Sequence, residues 1–205
     1  MKLYYAPSAC SLAPHILLRE LGLPFELERV DLRTKRTQTG KEYRLVNPKG
    51  YVPALELDDG SVITEAPTIL KYIADNMPDR GFAPDWGTRA RYDFDSWLNF
   101  ISSELHKPFG AFMAPLSEEQ KRFHVEKITH RLDWVESELS RRPWLVGDHY
   151  GAADIYLFVI TSWADQVGID LKRWPDLCAW REQIAEHSAV KEAIAAEKTP
   201  VSEPA

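Results

Sequence analysis

The pattern of apolar and polar positions changes character near residue 78. Before it, short apolar runs alternate with turn residues. Residues 2–5 (Lys-Leu-Tyr-Tyr) read as a strand, 11–21 as a helix stopped by Gly22-Leu23-Pro24, and 25–31 as a strand with apolar and polar positions alternating. That is a βαβ unit, whose two strands run parallel with a right-handed crossover. Residues 32–40 are polar and basic and read as a loop, 41–46 as a short helix, and Asn47-Pro48-Lys49-Gly50-Tyr51 as turn chemistry. Two short apolar segments, 52–57 and 61–63, flank Asp58-Asp59-Gly60 and make a hairpin. A helix follows, opened by Thr64-Glu65-Ala66-Pro67, with Ile69, Leu70, Ile73 and Ala74 on its apolar face.

Beyond residue 86 the strand signals stop. Helical periodicity covers 89–107 and 117–141, the latter opened by the capping box Ser117-Glu118-Glu119-Gln120. Residues 152–167 are strongly apolar and read as a buried central helix; 174–187 and 190–198 complete an all-helical bundle, and the tail from Thr199 reads as frayed. The expected organisation is an α/β domain over 1–78 running βαβ-αββα, a Pro- and Gly-bearing linker over 79–86, and an all-helical domain over 87–205.

Composition narrows the function. With 205 residues, 44% hydrophobic and 27% charged, the chain has the make-up of a soluble globular protein. A net charge of −6 and a pI near 5.6 disfavour nucleic acid and anionic membranes as partners. No apolar run approaches the length of a membrane span, and the N-terminus lacks a signal-peptide core, so a reducing cytoplasm is the expected setting. The two cysteines, Cys10 and Cys178, are far apart and suggest no disulfide. Cys178 lies in an apolar helical context that suits a packed thiol.

Four constellations bear on chemistry. Cys10 sits at a helix start, where unpaired amides bias a thiol toward thiolate; the plain alternative is a buried helix-start thiol. No Cys-x-x-Cys is present, and Ser11 and Tyr5 are hydroxyls near enough to serve a thiolate. Val52-Pro53 is either a proline that begins a strand or a cis peptide that frees the Val52 backbone to pair with an extended, peptide-like ligand. Glu65 either complements the helix dipole or meets a ligand ammonium, with the Ala66 amide receiving a carboxylate. Lys35, in a polar loop, adds a cation, and together these groups suit a zwitterionic peptide. Asn99, Ser103 and His106 fall at i, i+4 and i+7, one polar stripe that is either solvated or turned across the domain boundary toward Cys10.

These residues resemble a known family. Lys2-Leu3-Tyr4-Tyr5 with Ser8-x-Cys10-Ser11-Leu12-Ala13-Pro14-His15, then Asp31-Leu32-Arg33-Thr34-Lys35, Asn47 to Leu55, Thr64-Glu65-Ala66, and Trp97-Leu98-Asn99-Phe100 with Glu104-Leu105-His106-Lys107 are similar to the bacterial, beta-class glutathione S-transferases. The resemblance runs to about Lys198. It implies a thioredoxin-like domain with a mixed four-stranded sheet followed by a helical one, a homodimer, and glutathione as cosubstrate, with no metal. It implies Cys10 facing the glutathione sulfur, Val52 pairing with the cysteinyl backbone beside a cis Pro53, Glu65 and the Ala66 amide holding the γ-glutamyl end, and Lys35 on the glycine carboxylate. Asn99, Ser103 and His106 would reach in from the helical domain, and Glu104 and Lys107 would serve the facing subunit.

Two positions depart from the family pattern. Ala66 stands where many members have Ser, removing one hydroxyl contact to the γ-glutamyl carboxylate. Gly151 stands where Ser or Thr usually caps the buried helix, leaving Asp154 to reach back to a backbone amide.

The implied activity is transfer of the glutathione thiol to small hydrophobic electrophiles, a detoxification chemistry, with the electrophile near Tyr51, Phe109, Phe112 and Met113 in the region of the helical domain. Two other readings compete: thiol-disulfide or peroxide chemistry in which Cys10 attacks and glutathione resolves, and a non-enzymatic module that binds hydrophobic ligands.

Overall fold

The structure is a computed structural model that describes Met1–Lys198; the tail from Thr199 lies outside the described residues. The chain divides into two compact units, Met1–Arg80 together with the segment from His187 on, and Gly81–Glu186.

The first unit is built on a mixed sheet of order β3-β2-β1-β4-β5. β1 (Lys2–Tyr5) pairs parallel with β2 (Glu26–Asp31), with Leu3 opposite Leu27, as the βαβ reading requires. Between them, α1 (Leu12–Glu20) buries seven consecutive residues from Leu12 to Leu18. β4 (Ala54–Glu56) lies antiparallel on the other side of β1, and β5 (Val62–Thr64) closes the hairpin around Gly60. α2 (Ala66–Asp75) packs its Ile69-Leu70-Ile73-Ala74 face against α1.

The expected sheet has four strands and the observed one has five. β3 (Arg36–Thr37) lies inside the stretch read as a loop and pairs antiparallel with Val30 and Asp31. At two residues it is too short to show an alternation, and the turn that follows it is tied to a polar group of β2. The buried Glu28 carboxylate accepts from Thr39 N (3.1 Å) and Thr39 Oγ1 (2.7 Å). Burial alone would raise this carboxyl; the bonds from Thr39 and Thr37 outweigh it and hold it below its usual range. The expected helix over 41–46 is a single 3-10 turn, Tyr43–Leu45.

The second unit contains α3 (Arg89–Phe100), continued by a π-helical segment Ile101–His106 and a short α4 (Lys107–Gly110). It then forms α5 (Glu118–Leu139), α6 (Ala152–Thr161) and α7 (Pro175–Ala185). All ten residues of α6 are buried, in keeping with its apolar sequence, and the Ser117–Gln120 capping box opens α5.

Two boundaries fall differently from the sequence reading. Residues 81–86, read as linker, are tied into the second unit through their carbonyls. His149 Nε2 donates to Gly81 O (2.8 Å), Ala152 N to Phe82 O (2.9 Å) and Arg91 Nη1 to Pro84 O (3.3 Å). The last helix, α8 (Ser188–Lys198), groups with the first unit rather than the helical one, because its buried Glu197 pairs with His15 of α1.

Asp154 anchors the start of α6. Its carboxylate accepts from Gly151 N (3.0 Å), Leu145 N (3.0 Å) and Trp180 Nε1 (3.2 Å). Burial pushes the carboxyl up to about 6 against the pull of these donors, so it is ionised at neutral pH and serves all three. Gly151 fits where Ser or Thr would crowd, since a Cβ there would lie 3.3 Å from Phe82 O. Asp154→Ala strands three buried donors and lowers stability by about 3 kcal/mol. Turnover per folded molecule stays intact; denaturant unfolding and active-fraction assays measure the two separately.

Candidate functional site

The turn between β1 and α1 carries Cys10 and is held by buried polar contacts. Ala6 N donates to Ser11 Oγ and Ser11 Oγ donates to Ala6 O, each at 3.2 Å. Ser8 takes φ of +59°, and its N–H donates to Glu197 Oε2 at 3.0 Å. The other carboxylate oxygen of Glu197 lies 3.0 Å from His15 Nδ1, and Arg19 Nε donates to His15 Nε2 at 2.9 Å. A guanidinium only donates, so His15 Nε2 accepts and Nδ1 carries the proton given to Glu197. The sequence reading missed His15 and Glu197 as a pair, since they are 182 positions apart and nothing local links them. It also named Ser11 as a donor to a thiolate, whereas the Ser11 proton is committed to Ala6 O.

Cys10 is 7% exposed, and its thiol donates to Val52 O at 3.4 Å. Burial pushes this thiol up to about 12; the Cys10 and Ser11 amides pull the other way, and the Glu65 and Glu197 carboxylates push further up. The expected lowering by the helix start therefore loses to desolvation, and Cys10 is a neutral thiol at pH 7. Val52 follows Tyr51, whose carbonyl accepts from Tyr43 Oη (3.0 Å) and Asn47 Nδ2 (2.7 Å). The Val52-Pro53 peptide is cis.

Glu65 caps α2 with φ of +73°, in the left-handed region that non-glycine residues rarely occupy. Its Oε1 accepts from Tyr51 Oη (2.8 Å) and from Lys49 Nζ, and Lys49 Nζ also donates to Thr64 Oγ1 (2.9 Å). Neither Lys49 nor Tyr51 was singled out for Glu65 from sequence. A turn organised by buried Asn47, with Asn47 O accepting from Gly50 N, brings both to it. Lys35 has φ of +58° and is half-buried, its stem running beside Gly50. The first unit thus joins Cys10 to Val52, Glu65 to Tyr51 and Lys49, and Lys35 to the Gly50 turn.

In the second unit the expected stripe is broken by the π-helical segment, which alters the angular spacing after Phe100. Asn99 and Ser103 are exposed, with Ser103 Oγ donating to Asn99 O (2.9 Å). His106 turns inward: its Nδ1 lies 2.7 Å from Tyr156 Oη and its ring packs against Trp163. Lys107 is exposed. Glu104 Oε2 accepts from Arg131 Nε (2.8 Å) with Lys127 Nζ at 3.8 Å, so this carboxylate is engaged within its own chain. Phe109 is core, packed on Trp163; Phe112 is half-buried against His124, and Met113 is 81% exposed. Cys178 is half-buried and donates to Leu171 O at 3.1 Å.

The profile of the glutathione S-transferase N-terminal domain matches residues 7–76, and that of the C-terminal domain matches residues 100–188. The glutathione S-transferase GstA of Escherichia coli O157:H7 is 41% identical over 198 residues, covering 96% of this chain and 98% of its own. A beta-class glutathione S-transferase of Sphingomonas chungbukensis superposes with a TM-score of 0.94 at 44% identity, covering 97% of this chain and 99% of its own. A sphingomonad glutathione S-transferase solved in complex with glutathione gives 0.93 at 45% identity, over 96% and 98% of the two chains. The motifs around Cys10, Val52-Pro53 and Glu65, the mixed sheet and the helical second unit agree with these likenesses: the chain belongs to the glutathione S-transferase family, in its bacterial beta class.

Proposed function

We propose that this protein transfers the thiol sulfur of glutathione to small hydrophobic electrophiles. The observation that carries this reading over a redox one is the setting of Cys10: its thiol is buried and hydrogen-bonded to Val52 O, and that burial pushes its pKa up and disfavours the thiolate. A neutral thiol is a poor attacking group but a competent donor. In the proposed reaction glutathione loses its thiol proton to solvent, and the Cys10 S–H is donated to the resulting thiolate instead of to Val52 O. The thiolate then attacks the electrophilic carbon, the carbon–sulfur bond forms, and the leaving group departs with its electron pair.

The remaining roles follow the same reading. The Val52 backbone, set by the cis Pro53 peptide, pairs with the cysteinyl unit. Glu65 receives the γ-glutamyl ammonium, the Ala66 amide its carboxylate, and Lys35 the glycine carboxylate. In the second unit the same reading keeps His106, whose ring is held by Tyr156, together with Asn99, Ser103 and Lys107 as polar candidates. For Glu104, the bonds to Arg131 support a structural part within the chain. A cytoplasmic, detoxifying homodimer completes the proposal. Two free cysteines and, among the described residues, no helix long and apolar enough to cross a membrane support that setting. Sedimentation velocity at micromolar concentration checks the dimer.

Purified protein is expected to conjugate glutathione to an aryl halide with saturable dependence on glutathione; no turnover, with glutathione shown to bind, would remove the reading. Cys10→Ala removes one weak neutral donor, worth about 1 kcal/mol, so conjugation falls no more than about tenfold. Loss of conjugation to background, with thiol-disulfide exchange abolished in parallel, would mark Cys10 as the attacker.

Alkylation tests the Cys10 ionisation directly. With its pKa raised to about 12, its rate of reaction with iodoacetamide, followed by peptide mapping, rises about tenfold per pH unit from neutral to mildly alkaline pH without a plateau. A plateau below pH 8 would contradict it.

A further inference from the structure

Lys49 is an ion-pair partner of Glu65 that nothing in the proposed glutathione contacts uses. Its ammonium rests on Thr64 Oγ1 and Glu65 Oε1, the two residues immediately before α2, and its side chain is 44% exposed. The bond to Glu65 raises its pKa, so it is cationic throughout the physiological range. The turn around Asn47 holds the Lys49 backbone, with Lys49 N donating to Asn47 Oδ1 at 3.2 Å. The ammonium therefore reaches the start of α2 from a fixed base.

The start of α2 is poor in donors for an anion. Ala66 has no hydroxyl, and Pro67, next in the helix, has no N–H. Besides the Ala66 amide, the next donors the helix itself offers a γ-glutamyl carboxylate are the N–H and hydroxyl of Thr68, and none of these carries a charge. Yet the group to be bound is a zwitterion, and each of its charges needs an opposite charge to offset lost hydration. Glu65 supplies one for the ammonium. In the unliganded protein that carboxylate is already neutralised, by Lys49.

We propose that Lys49 is a glutathione-binding residue: in the free protein its ammonium stands in for the γ-glutamyl ammonium on Glu65, and in the complex it pairs with the γ-glutamyl α-carboxylate. The inference rests on glutathione occupying this site. On binding, the ligand ammonium takes the Glu65 oxygen, and Lys49, still beside Thr64, turns to the adjacent carboxylate. Four charges then alternate in sign: Glu65, ligand ammonium, ligand carboxylate, Lys49. The arrangement makes up for the hydroxyl that Ala66 lacks. It also makes the protein selective for a γ-glutamyl end that carries both charges over one that carries only the ammonium.

The test is Lys49→Met, which keeps the aliphatic stem and removes the charge. Steady-state conjugation at saturating electrophile is measured with glutathione and with an analogue lacking the α-carboxylate, γ-aminobutyryl-cysteinylglycine. Loss of a partly exposed charge-assisted hydrogen bond raises KM for glutathione about tenfold, with the change in KM and not in kcat. For the analogue, KM of the variant is equal to or below that of wild type, because the carboxylate partner of Lys49 is gone and no lysine ammonium then competes for Glu65. Lys49→Arg restores most of the glutathione affinity. An unchanged KM for glutathione in Lys49→Met overturns the proposal, as does an equal rise for both ligands, which would indicate distortion of Glu65. If wild-type protein shows no saturable dependence on glutathione, the functional reading fails and takes this proposal with it; that outcome is distinct from the first two, in which wild type saturates normally.

Discussion

A buried carboxylate on the last helix holds the turn on which Cys10 is carried. Glu197 binds the Ser8 amide with one oxygen and His15 with the other. Ser8 has a positive φ, a conformation that costs a non-glycine residue of order 1 kcal/mol and persists only where neighbours over-determine it. The Glu197 contact and the paired Ser11–Ala6 bonds supply that determination. Breaking such a pair by removing one member leaves a buried charge without compensation, so the contact is a stiff constraint rather than a large net source of stability. It also explains why α8 groups with the sheet-bearing unit although its sequence resembles the helices before it.

Given that turn, competition between two opposing effects sets the chemistry of Cys10. Helix-start amides stabilise negative charge by roughly 0.3–2 kcal/mol. Full desolvation of a thiolate acts over several pKa units, at about 1.4 kcal/mol each. With Cys10 only slightly exposed and two carboxylates adding like charge, desolvation wins. The outcome is a group suited to donating a hydrogen bond to another sulfur. That matches a transferase whose nucleophile arrives with the cosubstrate.

At the other end of the site the logic is reversed. Glu65, Lys49 and Tyr51 are about half exposed, so water screens them and their mutual attraction is modest. The positive φ of Glu65 holds its side chain at the start of α2, and the Asn47 turn delivers Lys49 and Tyr51 to it. A rigid thiol environment and a half-exposed, water-screened ion pair therefore share one sheet-bearing unit.

What the sequence by itself determined was whatever local periodicity and turn chemistry encode. The βαβ crossover, the Asp-Gly hairpin, the Ser117 capping box and the buried α6 were all legible, and so was the set of motif residues, from Cys10 to Glu65, that marks the family. These depend on neighbours within a few positions, where spacing maps directly onto geometry. β3 escaped notice because a strand of two residues, Arg36 and Thr37, leaves no alternation to read. The π-helical segment escaped because it follows no 3.6-residue pattern, and it turns His106 toward Tyr156. Only the tertiary structure decided the protonation of Cys10, the commitment of Glu104 to Arg131, the place of α8 and the Lys49–Glu65 pair. Each is an outcome of desolvation or of charges meeting across long stretches of chain, and neither burial nor long-range pairing is written in residue order.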